Sequence, residues 1–152
     1  MKLIAHRGNI NGPDPENENK PEYIESAINQ GYDVEIDIRY EIFDGQFYLG
    51  HDGPQYPITW YWLASKKDNI WIHCKNIEAL HRFSSETGGF NYFWHQEDDF
   101  TLTSKNYIWT YPGKPYAGKS IIVMPESEGI DWDQLRISNC YGICSDYVGK
   151  LR

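Results

Sequence analysis

A chain of 152 residues is long enough for one domain with a sizeable hydrophobic core, and we treat residues 1–152 as a single domain. The formal net charge of −8 argues against a general binder of nucleic acid or of membrane surfaces, because both need a basic face. No segment approaches the roughly 18 apolar residues of a membrane span, and the N-terminus lacks the apolar region of a signal peptide. The three cysteines show no metal-ligand spacing, so we expect a cytoplasmic protein with reduced thiols.

The first half of the chain alternates between strand and helix patterns. Strands are predicted at residues 2–6, 32–42, 46–53 and 69–75, from short apolar runs, period-two alternation and a hairpin turn at Asp44-Gly45. Helices are predicted from Pro21 to about Gly31, over residues 58–67, and from Asn76 to about Gly88. This order favours a parallel sheet with right-handed crossovers.

The second half contains fewer helix patterns. Strands are predicted at residues 91–96, 106–111, 119–125 and 140–146, and one short helix at 131–135. Loops are expected between the first three of these strands. The fold class predicted from the whole series is α/β, as a compact, reduced TIM-type (β/α) barrel with several outer helices replaced by loops. An open sheet is the alternative, because a (β/α)₈ barrel usually takes about 250 residues.

Polar and titratable side chains gather at the ends of the predicted strands. They are His6-Arg7, Glu35 and Asp37, His51-Asp52, His73 and Lys75, His95, and Ser145-Asp146. The carboxyl ends of parallel strands meet at one edge of a sheet, where the sites of α/β folds lie. The sequence therefore places a candidate site at this edge.

Glu35 and Asp37 are two residues apart on one strand and therefore share a face. Neighbouring carboxylates repel each other, and a bound divalent cation would relieve that repulsion. Oxygen ligands suit Mg²⁺, Ca²⁺ or Mn²⁺. The alternative is a water-covered strand face with no ion.

His73 and Lys75 also share a face, and a lysine at this edge needs an anionic partner. That partner is either one of the two carboxylates or a substrate phosphate. His95 is more typical of a hydrogen-bonded structural histidine.

Several of these stretches together resemble the glycerophosphodiester phosphodiesterase family, within the wider group of phospholipase-C-like phosphodiesterases. The motifs are "IAHRG" at 4–8, "PEN" at 15–17, "VEIDIRYEIFDGQFYLGHD" at 34–52, "IHCK" at 72–75 and "YGICSD" at 141–146. The first three occur in the family's order and cover about the first half of the chain.

The resemblance implies a TIM-type barrel that holds one divalent metal. The matching residues and implied roles are His6 and His51 as acid–base histidines, Arg7 and Lys75 as phosphate-binding cations, Glu35 and Asp37 as metal ligands, and Glu16 and Asn17 as a polar pair. The implied substrate is a small-molecule phosphodiester. In the implied reaction one histidine takes a proton from the attacking oxygen, the other protonates the leaving alcohol, and a cyclic phosphate can form on the way.

Two departures from the family's pattern affect the metal and the substrate. His73 occupies the position of the family's third carboxylate ligand, and imidazole suits Mn²⁺ or Zn²⁺ better than Ca²⁺. The connection after the 43–46 hairpin is short and leaves no room for the family's substrate cap, so we expect a shallow, open site. Trp109 and Tyr111 are predicted as weak contacts to the substrate alcohol, although buried aromatic residues usually belong to the core.

Two other functions remain open from the sequence. One is a non-catalytic domain that binds a phosphate or a metabolite on the same scaffold. The other is a protein-interaction domain, which a contiguous apolar patch away from the site would favour. No specific protein partner is predicted.

Overall fold

The computed structural model describes residues 1–86, 88–129 and 131–152, which form ten strands and four α-helices. The strands are β1 (Lys2–His6), β2 (Asp33–Glu41), β3 (Gln46–Leu49), β4 (Tyr56–Ile58), β5 (Ile70–Cys74), β6 (Asn91–Phe93), β7 (Phe100–Leu102), β8 (Ile108–Thr110), β9 (Ser120–Val123) and β10 (Gly142–Ser145). The helices are α1 (Pro21–Asn29), α2 (Trp60–Lys66), α3 (Ile77–Ser85) and α4 (Trp132–Arg136). None of the helices is long and apolar enough to cross a membrane.

All ten strands belong to one mixed sheet that curls into a half-barrel. Seven strands run parallel, in the spatial order β6-β5-β2-β1-β10-β9-β8. Residues 38–41 of β2, which lie beyond its pairing with β1, pair antiparallel with β3. β3 in turn pairs antiparallel with β4, so these three strands form a meander. At the other edge, β7 is antiparallel to β8. The carboxyl ends of the seven parallel strands therefore meet along one rim.

The predicted TIM-type barrel is wrong. Helices do not alternate with strands through the chain, because β3 and β4 follow β2 directly and β6 to β9 follow one another with no α-helix between them. Within the described residues no strand pairing joins β6 to β7 or β8, so the sheet stays open. The two edges approach only through contacts such as the Phe93 and Trp109 rings, whose centroids are 4.5 Å apart. A chain of this length has too few residues for eight crossover helices.

Two short strands were not predicted. β4 contains Pro57, which lacks the amide donor of a central strand and fits this position at the edge of the meander. β7 lies inside a predicted loop, and its Phe100 and Leu102 are exposed. Three-residue strands with exposed or proline-containing sequences do not show the alternation that marks a half-buried strand.

The curled sheet separates two apolar clusters. On its outer face, Ile36 and Ile38 of β2 pack with α1 and with Ala79 and Phe83 of α3 in the larger cluster. Asn76 caps α3, as predicted, by accepting a hydrogen bond from the Ala79 amide at 3.1 Å. A smaller cluster on the other face lies below the rim and consists of Ile4, Trp71, Phe93, Trp109, Ile121 and Cys144. The polar groups of the rim therefore rest on an apolar base.

A tight turn after β3 brings the chain back to the rim. Gly50 has φ +146°, and its amide donates to the carbonyl of Asp37 at 3.1 Å. A Cβ at Gly50 would lie 2.1 Å from the carbonyl oxygen of Gly53, which is a backbone atom and has little freedom to move. This close approach requires glycine and fixes where His51 leaves the turn.

We predict that Gly50→Ala destabilises the fold by about 2 kcal/mol or more, because the new methyl group meets backbone at a positive φ. The expected fall in the melting temperature is more than about 5 °C in a calorimetric scan. Gly53→Ala is the matched control, because a Cβ at Gly53 meets nothing within 4 Å. Equal melting temperatures for the two variants would contradict the steric argument.

Candidate functional site

A cavity of about 320 Å³ opens at the rim formed by the carboxyl ends of the parallel strands. Six of the predicted site residues line it: His6, Arg7, Glu35, His51, His73 and Lys75. The predicted substrate contacts Trp109 and Tyr111 line it as well. Asp37 lies against these groups but is completely buried. The fold therefore brings together residues that are up to 105 positions apart in the sequence.

The two carboxylates of β2 are almost inaccessible to solvent. Glu35 is 2% exposed and Asp37 is 0% exposed. The strand register places His6 beside Glu35 and His73 beside Asp37. Glu35 Oε2 and Asp37 Oδ1 are buried without a hydrogen-bond partner in the described residues. Buried anionic oxygens without partners are costly, so this arrangement calls for a positive charge.

His73 has a defined orientation between these carboxylates. Its Nε2 lies 2.9 Å from the carbonyl oxygen of His95, and since a carbonyl only accepts, Nε2 carries the hydrogen. Nδ1 then faces Glu35 Oε1 at 3.6 Å and Asp37 Oδ1 at 3.5 Å. In the neutral ring this places a lone pair opposite two carboxylates. A proton or a cation on Nδ1 would turn that repulsion into attraction.

Glu35, Asp37 and His73 could hold a metal ion, because their ligand atoms lie within 4.8 Å of one another. The unpartnered oxygens of Glu35 and Asp37 fit such an ion. So does the second nitrogen of His73, since metal-binding histidines commonly donate their other N–H to a backbone carbonyl. A set of two carboxylates and one imidazole suits Mn²⁺ or Zn²⁺ at least as well as Mg²⁺ or Ca²⁺.

Two cations already approach Asp37. Arg7 Nε lies 2.8 Å from Asp37 Oδ2 without forming a hydrogen bond, so this contact is ionic. Lys75 Nζ lies 3.9 Å from Asp37 Oδ1. Burial by itself would raise the pKa of Asp37, but the charge of Arg7, the charge of a protonated His73 and the Asn19 hydrogen bond together lower that pKa. The anionic partner expected for Lys75 is therefore present, and its contact with a phosphate stays a prediction.

His6 is held by a carboxylate from the last strand of the sheet. Its Nδ1 donates to Asp146 Oδ1 at 2.8 Å, and the Asn9 amide donates to the same oxygen at 2.8 Å. His6 Nε2 lies 3.9 Å from Glu35 Oε2. Burial alone would lower the pKa of His6, but the Asp146 hydrogen bond and the charge of Glu35 raise it above its usual value. Asp146 is positioned in turn by Glu126, which accepts from its amide at 2.9 Å.

His51 has a similar arrangement in a more open setting. Its Nδ1 lies 2.7 Å from Asp52 Oδ1, and its side chain is 41% exposed. Arg39 holds the turn by donating to the carbonyls of His51 at 2.7 Å and of Gly50 at 3.3 Å. Each predicted acid–base histidine therefore has a carboxylate at Nδ1, which leaves Nε2 available.

Some residues of the site were missed by the sequence reasoning. The polar pair beside Arg7 is Glu18 and Asn19 instead of the expected Glu16 and Asn17. Arg7 donates to Glu18 at 3.1 Å, and the Asn19 amide donates to Asp37 at 2.9 Å, whereas Glu16 is exposed. The Glu-Asn dipeptide occurs twice in succession, at 16–17 and 18–19, so the sequence alone makes either copy a candidate for the polar pair.

The backbone around the cavity adopts a costly conformation at several places. Arg7, Asn19 and Met124 are non-glycine residues with positive φ of 53°, 62° and 46°. Arg7 and Met124 line the cavity, and Asn19 binds Asp37. Such conformations cost about 1–3 kcal/mol each and concentrate where surrounding contacts enforce a functional geometry.

A scan against protein-family models, a search of curated proteins and a search of solved structures each found no match to this chain.

We predict that His6 titrates above its unfolded value of about 6.5, and that Asp146→Asn lowers the midpoint because the anionic hydrogen-bond acceptor is lost. The measurement is an NMR titration of the imidazole in EDTA-treated protein. A raised pKa means that the His6–Asp146 pair stabilises the fold fully below about pH 6.5 and loses this contribution as the pH rises through the folded pKa. Asp52→Asn, beside His51, is the control and should leave the His6 midpoint in place. The same midpoint in Asp146→Asn as in the wild type would refute this assignment.

A second prediction concerns the metal. EDTA-stripped protein should bind Mn²⁺ at one site in isothermal titration calorimetry. Glu35→Gln should weaken the affinity at least about 100-fold, because it removes an anionic ligand while keeping the side-chain shape. Asp68→Asn, at an exposed position, serves as the control for a nonspecific loss of negative charge. Wild-type protein that binds no Mn²⁺, or binds it as Glu35→Gln does, would rule out this site.

Proposed function

We propose that this protein is a metal-dependent phosphodiester hydrolase acting on small glycerophosphodiester-like substrates. The observation that carries the proposal is the lining of a single cavity by His6, Arg7, Glu35, His51, His73 and Lys75. The fold is not the barrel that the family resemblance implied, so the proposal depends on these side chains and not on the architecture.

The charges of the cavity suit an anionic diester. A phosphodiester resists nucleophiles because its oxygens are negatively charged, and Arg7 and Lys75 would offset that charge as it grows in the transition state. A divalent ion held by Glu35, Asp37 and His73 would supply further positive charge to the phosphate oxygens. The apolar base of the cavity includes Trp109.

The two histidines would move the protons. Asp146 holds the Nδ1 hydrogen of His6, and Asp52 lies at Nδ1 of His51, so the Nε2 atoms are the ones free to exchange protons. One Nε2 takes the proton from the attacking oxygen as its bond to phosphorus forms. The other gives a proton to the leaving alcohol as its bond to phosphorus breaks. A neighbouring hydroxyl of the substrate as the attacking group gives a cyclic phosphate, which water can then open.

A non-catalytic phosphate-binding domain is the second candidate. It is favoured by His73, which stands where the family resemblance implies a third carboxylate ligand of the metal, while the cations Arg7 and Lys75 still line the cavity. Turnover distinguishes the two functions, because such a domain binds a glycerophosphodiester and releases no product.

The test is hydrolysis of glycerophosphoglycerol and of bis(p-nitrophenyl) phosphate by the purified chain. His6→Ala and His51→Ala should each reduce kcat at least about 100-fold, because each removes a general acid or base. EDTA should abolish activity, and Mn²⁺ should restore it. His81→Ala, at an exposed position of α3, is the matched control and should keep full activity.

Near-wild-type rates in either cavity histidine variant would overturn the acid–base pair. Full activity in EDTA would overturn the metal requirement. Binding of the diester without any product would favour the phosphate-binding domain.

A further inference from the structure

The cavity has a wall that differs in character from its charged part. This wall is lined by His95, Gln96, Trp109, Tyr111, Pro112, Val123 and Met124, which come from or follow β6, β8 and β9. None of these side chains carries a carboxylate, an ammonium or a guanidinium. The groups that suit a phosphate, Arg7 and Lys75, come from or follow β1 and β5 instead. A phosphodiester held by those cations would have one of its two alcohol groups against the uncharged wall.

His95 offers this wall a hydrogen-bond acceptor in a fixed tautomer. Its Nε2 lies 2.6 Å from the carbonyl oxygen of Asp98, and because a carbonyl only accepts, Nε2 carries the hydrogen. Nδ1 of the neutral ring is then an acceptor. It makes no hydrogen bond to any of the residues that the structure describes, although His95 is only 8% exposed. A nearly buried ring with a fixed donor and an open acceptor is suited to recognising a hydroxyl group.

Two neighbouring side chains add further uncharged hydrogen-bonding groups. Tyr111 is 40% exposed, and its ring centroid is 5.3 Å from that of His95. Neither its hydroxyl nor the Gln96 amide is hydrogen-bonded within residues 1–86, 88–129 and 131–152. The rest of the wall is aromatic or aliphatic and suits the C–H surface of a ligand. The wall therefore combines apolar surface with uncharged hydrogen-bond donors and acceptors.

We propose that His95, Gln96 and Tyr111 form a subsite for a neutral, polyhydroxylated alcohol group, and this inference rests on the proposed phosphodiesterase function. Such an alcohol presents hydroxyl groups and C–H surface together, which matches the wall. A cationic alcohol such as choline would need a carboxylate beside it. Among the described residues that line the cavity, the carboxylate is that of Glu35, which lies in the charged part, 3.6 Å from His73 Nδ1.

The test compares two phosphates that differ only in their hydroxyl groups. Glycerol 3-phosphate and n-propyl phosphate are titrated separately into Mn²⁺-loaded protein and the affinities are measured by calorimetry. The wild type should prefer glycerol 3-phosphate about tenfold, as two additional hydrogen bonds would provide. His95→Phe should reduce this preference to about one. Tyr111→Phe, which removes a single hydroxyl from a half-exposed ring and leaves the fold intact, should reduce it partway.

Tyr116→Phe is the matched control, because Tyr116 is a comparably exposed tyrosine outside this cavity and should leave the preference unchanged. Equal affinities for the two phosphates in the wild type would overturn the subsite, as would tighter binding of phosphocholine than of glycerol 3-phosphate. The preference without any diester turnover would support the subsite and overturn the proposed hydrolase. Diester turnover without the preference for glycerol 3-phosphate would support the hydrolase and overturn the subsite.

Discussion

The burial of two like charges on one face of β2 is the constraint on which the rest of the site depends. Glu35 and Asp37 lie at positions that the strand pleat places side by side, and both are removed from water. Without compensating contacts, one of the two carboxylates would take up a proton, or the rim of the sheet around them would unfold. The surrounding contacts supply compensation: Arg7 and Asn19 bind Asp37, and His73 reaches both carboxylates. The oxygens that remain without a partner mark where the compensation is incomplete.

These compensating groups are held by backbone that a relaxed chain would avoid. Arg7 and Asn19 have positive φ, and their backbones are joined by a hydrogen bond from the Asn19 amide to the Arg7 carbonyl at 3.1 Å. The loop after β1 therefore holds the guanidinium of Arg7 and the side-chain amide of Asn19 against the same carboxylate, that of Asp37. Its strain is a stability cost that the electrostatic contacts around Asp37 offset.

Much of the site could be predicted because strand periodicity is local. Alternation in β2 was enough to place Glu35 and Asp37 on one face, and the same argument paired His73 with Lys75. The role of the His95 carbonyl could not be predicted, because every residue has a carbonyl and only the tertiary fold selects one. The closure of the sheet was predicted wrongly for a related reason: polar strand ends look alike in a closed barrel and in an open, curled sheet. Asp146 stands at the end of a predicted strand, but its pairing with His6 could not be predicted because the two residues are 140 positions apart.

His95 contributes both to the acidic part of the cavity and to its uncharged wall. Its carbonyl fixes the ring of His73 beside the acidic pair, while its own ring lies in the uncharged wall. If a ligand on the wall displaced the backbone of residue 95, it would also disturb the hydrogen bond that orients His73. A cation bound by His73 would in turn resist that displacement, because coupling between binding sites is reciprocal. A single residue thus joins the acidic pair to the uncharged wall.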